Sequence, residues 1–234
     1  MDKASEYNES YWTTRLAGIQ VDEHEHIPYL RIFFACLCQA LIYLHSNKTK
    51  HRDVKPENIL VDKYHNVMLT DFGTSKKYTR PEDALTSGLT RCTVKYASPQ
   101  VLDGDPREYD SDVYSLGCVF LEMTTVILGR SLKQLYEKVG VVVDTERILK
   151  YGRRGVAIKE WIQELKDLCE TKYSLALTGH TSKTRDGVPM SKHLLDVICS
   201  MMSKERDDRP TVDKAWEDFA EVCEECKFCH PKVS

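Results

Sequence analysis

The sequence has 234 residues, 41% of them hydrophobic and 29% charged, with a net charge of −3. That is an ordinary globular balance with enough apolar side chain for a core, and it offers no global basic field for nucleic acid or an anionic membrane. The longest apolar stretch, Phe33 to Leu44, is interrupted by Gln39 and falls short of the roughly 20 residues that span a bilayer. The polar, acidic start MDKASEYNES is unlike a secretory signal. Nine cysteines without a framework spacing point to reduced thiols and an intracellular protein of the cytoplasm or nucleus.

In chain order, residues 1–27 are polar and irregular, with a short helix expected near Trp12 to Leu16. From Tyr29 to Ser46 the apolar residues Leu30, Phe33, Phe34, Leu37, Leu41 and Leu44 recur at spacings of three and four, which predicts a helix. Ile32, Cys36, Ala40 and Tyr43 widen its apolar face, so it is expected to be buried on most sides. A loop, His51 to Asn58, leads into two β-like runs, Ile59-Leu60-Val61 and Val67-Met68-Leu69. Asp62 to Asn66 reads as the hairpin turn between them. Residues 71–100 are polar and read as one long loop, a feature uncommon unless functional or disordered. Val113 to Ile127 reads as a buried helix. Residues 128–190 alternate helical stretches, such as Trp161 to Cys169, with polar loops. Ser191–Lys204 and Val212–Cys223 read as two closing amphipathic helices. There is no internal repeat and no low-complexity tract.

Two motifs flank the hairpin: His51-Arg52-Asp53-Val54-Lys55-Pro56-Glu57-Asn58 at its head and Asp71-Phe72-Gly73 at its foot. Together they resemble the catalytic loop and metal-binding loop of eukaryotic protein kinases, and the resemblance covers about residues 28–222. It implies a protein-kinase-like α+β fold, of which the mainly α-helical C-terminal lobe is present, with ATP and Mg2+ as cofactors. Phosphoryl transfer to a hydroxyl is chiefly positioning and charge neutralisation. Asp53 matches the carboxylate that accepts the hydroxyl proton, and Lys55 matches the cation that reaches the transferring phosphate in Ser/Thr kinases. Asn58 and Asp71 match the two metal-holding side chains, oxygen donors of the kind that magnesium takes. Leu60 matches the apolar residue under the adenine ring, and a plain core leucine fits it equally. His51 is expected to pack the loop.

The resemblance extends to residues that order the loop. Arg52 matches an arginine that often pairs with a phosphate on the following loop through charge-assisted bonds. Thr86, Ser87 and Thr90 are placed for that, Thr90 first, and an unmodified threonine stands equally open. Thr93 matches the threonine that touches the catalytic Asp and Lys. Ser98-Pro99-Gln100 stands where the family has Ala-Pro-Glu, so Gln100 replaces a glutamate whose buried partner is matched by Arg209. Gln100 still accepts a hydrogen bond, and Asp207 or Asp208 is expected to supply the missing charge. Asp112 is expected to hold the backbone of the His51–Asp53 turn, or to act as an N-cap at its helix start.

The family's N-terminal lobe carries a Gly-rich phosphate loop and a strand lysine paired with a helix glutamate. Residues 1–50 contain neither motif, and Gly18 is their one glycine, so the chain reads as a truncated or incomplete kinase. An apolar surface is therefore expected where the other lobe would sit. The string Gly155-Val156-Ala157-Ile158-Lys159 spells the strand-lysine motif but sits far downstream, so it reads as the lead-in to the helix at Trp161, with Arg153 and Arg154 a solvated corner. Residues 1–222 form the kinase domain in this reading, and 223–234 a Cys-rich tail. In that tail Cys223, Cys226, Cys229 and His230 read chiefly as unliganded thiols, with zinc or haem attachment as rarer readings. The enlarged region 128–190 could dock a regulatory protein. The expected function is ATP- and Mg-dependent phosphorylation of Ser/Thr in a protein substrate, with no nucleic-acid or membrane partner. The alternatives are a catalytically inactive lobe that binds proteins and a zinc-dependent interaction protein using the tail.

Overall fold

The first described element of the computed structural model, helix α1 (Ile27–Ser46), begins two residues before the apolar periodicity does. The structure describes residues 27–61, 66–71, 76–77, 94–140, 150–169 and 190–222. The core is built on helix α3 (Tyr109–Ile127), whose side chains are buried on nearly every side. Around it pack α1, α4 (Leu132–Lys138), α6 (Met190–Met201) and, through α1 and α6, α7 (Val212–Val222). Helix α5 (Gly155–Leu168) lies against α6. Three rings tie these elements together: Phe34 of α1 lies 4.7 Å from Phe120 of α3, and both meet Phe219 of α7, at 5.6 and 5.2 Å. Such edge and tilted contacts add to the apolar burial itself. Among the described residues no helix is long and apolar enough to cross a membrane.

Among the described residues, four short strands position the site. Strand β1 (Thr49–Lys50) pairs antiparallel with β4 (Lys76–Lys77), and β2 (Ile59–Val61) pairs antiparallel with β3 (Val67–Leu69). The expected hairpin is thus present, in the register Ile59↔Leu69, Leu60↔Met68, Val61↔Val67. Alternation sends Ile59 and Val61 into the core and leaves Leu60 and Met68 on the other face, where Met68 is 47% exposed. The β1–β4 pair falls partly within the span expected to be one loop. Strands of two polar residues carry no alternation to read.

Three expectations are corrected by the helix boundaries. Helix α3 starts at Tyr109, with Glu108 as its N-cap, so Asp112 lies inside the first turn and is not the cap. Helix α5 starts at Gly155, earlier than the expected helix at Trp161, and the strand-lysine look-alike 155–159 is therefore helical. A four-residue helix, α2 (Pro99–Leu102), follows the loop. Ser98 caps it by accepting from the Val101 amide at 3.4 Å, and Pro99 takes the first position, where its missing N–H costs nothing. The expected helix near Trp12, Thr86, Ser87, Thr90, Thr93, Phe72, Gly73 and the Cys-rich tail lie outside the described residues.

The 3-10 turn Tyr151–Arg153 presses against the segment before α2. A Cβ on Gly152 would stand 2.7 Å from the Ala97 carbonyl oxygen and 2.9 Å from the Pro99 nitrogen, backbone atoms that cannot rotate away. Gly155 at the start of α5 has open space around it. Gly152→Ala should therefore destabilise the protein by about 1–3 kcal/mol, read as a lower midpoint in urea. Gly155→Ala should leave the midpoint unchanged or slightly raised.

Candidate active site

The loop after β1 carries a sharp backbone twist at its second residue. Arg52 takes a left-handed backbone, φ 71°, unusual for a side chain with a Cβ. That twist turns the consecutive amides of His51 and Arg52 towards one point, the carboxylate of Asp112. The His51 amide donates to Oδ2 at 2.9 Å and the Arg52 amide to Oδ1 at 2.7 Å. Successive amides converging on an anion form a nest, and here the anion is a side chain of α3. Asp112 also bonds the His45 ring, Nε2 to Oδ2 at 3.0 Å. His45, at the last turn of α1, was not singled out in the sequence, because a histidine ending an apolar helix carries no pattern of its own.

Neighbouring bonds fix the same turn. Arg107 donates to the Arg52 carbonyl at 3.2 Å. Lys50, fully buried, donates to the Arg107 carbonyl at 3.1 Å and to Glu108 at 2.6 Å, and sits 4.9 Å from the centre of the Tyr109 ring. A buried ammonium is tolerated only with such partners. His51 is buried, as expected of a packing residue. Its Nδ1 accepts from the Asp53 amide at 3.3 Å, so the proton sits on Nε2, which donates to the Thr70 carbonyl at 2.9 Å.

These contacts present Asp53, Lys55 and Asn58 together. The Lys55 ammonium lies 2.8 Å from Asp53 Oδ2. The Asn58 side chain donates to the Asp53 carbonyl at 2.7 Å and to its Oδ2 at 3.1 Å. Asp53 is only 5% exposed, and two donors on one oxygen fix the plane of its carboxylate. The 3-10 turn Pro56–Asn58 brings Asn58 back under the loop. The hairpin then returns the chain: the Thr70 amide and hydroxyl both donate to the Asn58 carbonyl, at 2.8 and 3.1 Å. The next residue, Asp71, is exposed and left-handed at φ 61°.

The donor set suits a hard divalent cation. The Asn58 amide nitrogen is committed to Asp53, so its side-chain oxygen points away from that carboxylate, and Asp71 at the end of the hairpin's return brings a carboxylate of its own. Oxygen donors of both kinds are what magnesium takes.

The Gln100–Arg209 pair behaves differently from expectation in one respect. Arg209, its side chain fully buried, donates to Gln100 Oε1 at 2.5 Å and to the Ser203 and Lys204 carbonyls at 2.8 and 3.1 Å. The balancing charge comes from neither Asp207 nor Asp208. It comes from Asp110 in the first turn of α3, 2.6 Å from Nη1. The reason is direction: the guanidinium points back across the fold towards α3, where it also lies over the Tyr114 ring at 5.0 Å. Burial lowers the Arg209 pKa from its usual value, and Asp110 opposes that shift. Asp110→Asn should leave a buried cation without its carboxylate and cost about 3–5 kcal/mol. Gln100→Ala removes two bonds, the one accepted from Arg209 and the one donated to the Lys204 carbonyl at 2.6 Å, and should cost about 1–3 kcal/mol. Denaturant titration of the two variants checks the order.

A sequence profile described as the protein kinase domain matches residues 12–219. Similar proteins include serine/threonine-protein kinase fused of Drosophila melanogaster, 42% identical over 86 residues, which are 37% of this chain and 10% of that protein. Serine/threonine-protein kinase Sgk2 of Homo sapiens is 38% identical over 116 residues, 48% of this chain and 31% of Sgk2. Mitogen-activated protein kinase kinase kinase 15 of Mus musculus is 36% identical over 107 residues, 42% of this chain and 7% of that protein. The matches thus span between 7% and 31% of these three relatives. With the family profile covering most of the sequence, and a mainly helical lobe carrying the two motifs around one hairpin, the chain belongs to the protein kinase family.

Proposed function

We propose that the chain carries the catalytic lobe of a protein serine/threonine kinase, which moves the γ-phosphoryl group of ATP to a Ser or Thr hydroxyl of a protein substrate. The observation that supports this most is the bonded set in which Lys55 and Asn58 both hold Oδ2 of Asp53. A carboxylate fixed in this way can accept the proton of an incoming hydroxyl as its oxygen forms the new bond to phosphorus and the bond to ADP breaks. The Lys55 ammonium stands where it can offset charge on the transferred group. Asn58 and Asp71 would hold magnesium, which when bound neutralises the phosphate oxygens. Leu60 would support the adenine ring, and Arg52 would bind a phosphate placed at Thr90, with Thr93 beside Asp53.

The five cysteines among the described residues are free thiols, and burial pushes the Cys38 and Cys118 pKa values up. Cysteines that stay free support a reducing, intracellular setting. The exposed Met68 beside Leu60 favours a second reading, a lobe that docks a partner on this face without catalysis, and the described parts of 128–190 offer α4 and α5 as a further surface.

Two measurements separate these readings. With the purified chain, a Ser/Thr peptide pool and Mg-ATP, Asp53→Asn should lower transfer by about 10²–10⁴-fold while the melting temperature stays within a few degrees. In calorimetry, Asp71→Asn should abolish the magnesium-dependent part of ATP binding. A chain that binds no nucleotide, or transfer indifferent to Asp53→Asn, would favour the docking module.

A further inference from the structure

Residues 94–103 lead the chain out of the long polar span, and three consecutive residues of the turn Tyr151–Arg153 hold them at their start, middle and end. Tyr151 is fully buried. Its hydroxyl donates to Glu122 of α3 at 2.8 Å, beside those of Tyr96 and Tyr136, both at 3.2 Å, and Lys95 balances that carboxylate from 2.8 Å. The Tyr151 ring lies 6.0 Å from the Tyr96 ring. Gly152 approaches so closely that a Cβ there would stand 2.7 Å from the Ala97 carbonyl oxygen and 2.9 Å from the Pro99 nitrogen. Arg153 donates to Asp103, the residue that caps the C-terminus of α2, at 2.5 Å.

The turn has little room to yield, because α5 follows it directly and is fixed on three sides. Ile158, Trp161, Ile162 and Leu165 are buried. The Trp161 ring N–H donates to the Thr125 hydroxyl of α3 at 3.0 Å. Lys138 of α4 lies 3.4 and 2.9 Å from Glu160 and Glu164, and Lys166 pairs with Asp196 of α6. Packed elements of this kind pass displacement on instead of absorbing it. The segment they hold borders the site. Ser115 of α3 donates to the Tyr96 carbonyl at 3.0 Å, and Ala97 and Ser98 line one small cavity with Arg52 and Asp112.

We propose that the turn Tyr151–Arg153, made rigid by α5, is a strut that sets the exit of the long loop in place from within the fold, so that residues 94–103 are ordered without a phosphate on the loop. The proposal rests on the kinase reading for its regulatory meaning: a phosphate at Thr90, bound by Arg52, would act on the loop before Val94 and leave α2 as it is. The contacts of the strut do not depend on that reading.

The test is amide hydrogen exchange in the full chain, treated with phosphatase until its intact mass shows no phosphate. The amides of Leu102, Asp103, Gly104 and Asp105 bond carbonyls of residues 98–101 and report whether α2 is closed. In the phosphate-free parent they should exchange at least about tenfold slower than in an unstructured peptide. Gly152→Ala, which drives a Cβ into the held backbone, should speed all four about tenfold. The Asn47 and Lys48 amides at the end of α1, which open by local fraying, should stay within about twofold. Parent amides at 102–105 that lack this protection once phosphate is removed overturn the proposal, and so does Gly152→Ala exchange within about threefold of the parent's. If Gly152→Ala does not fold, Arg153 decides: Arg153→Ala should speed exchange at Asp103 to Asp105 about two- to fivefold, the worth of an exposed ion pair, and Arg153→Lys should restore it. Arg153→Ala indistinguishable from the parent then overturns the strut. Exchange needs no phosphoryl transfer, so a chain without kinase activity still answers for the strut, and its inactivity counts against the proposed function only.

Discussion

The carboxylate of Asp112 is the constraint on which the site depends. It sits on the most buried helix of the fold and takes bonds from two successive backbone amides and a histidine ring. Those bonds hold Arg52 in a left-handed conformation that costs of order 1–3 kcal/mol when unsupported. Because the turn is held, Asp53 emerges with its amide against His51 and its carboxylate against Lys55 and Asn58. Because Asn58 is held, Thr70 can bond its carbonyl and deliver Asp71. The site is thus a short chain of bonded pairs anchored in α3, with few degrees of freedom left in its backbone. Rigid support of this kind is what positioning catalysis requires.

The same helix carries two other charges inward. Asp110 neutralises Arg209, and Glu122 is neutralised by Lys95. In both cases the partner arrives from a distant segment, and each buried charge has its counterion and neighbouring hydrogen bonds. Helix α3 therefore works as an electrostatic spine. Its first turn fixes the catalytic loop and the closing α6–α7 connection, and its Glu122 fixes the turn that leads out of the long loop. Replacing the glutamate of the family motif by Gln100 is tolerable here because Arg209 has a second carboxylate within reach.

What the sequence made legible were features in which chemistry dictates residue type at fixed spacing. The motif at 51–58, the two β-like runs, and the residues Asp71 and Asp112 could all be read before any coordinates. The long helices α1 and α3 and the closing helices α6 and α7 were readable from apolar periodicity, with ends displaced by a few residues. What was not legible depends on direction or on distant contacts. Asp207 and Asp208 adjoin Arg209 in sequence, yet the guanidinium points to Asp110, which no local pattern reveals. The three tyrosines around Glu122 come from three segments, and each alone looks like an ordinary half-buried aromatic. Strands β1 and β4 are two polar residues long. The start of α5 at Gly155 was obscured by a residue that usually ends helices.

The account stands or falls on whether Asp112 holds the catalytic turn. Amide hydrogen exchange at His51 and Arg52, compared between the parent chain and Asp112→Asn, tests this most directly. The carboxamide can still accept one of the two bonds, while its NH2 group faces the other amide. The account predicts that protection at His51, Arg52 or both falls sharply in the variant, while amides in the middle of α3 keep theirs. Unchanged protection at both residues, with α3 equally intact, would contradict it.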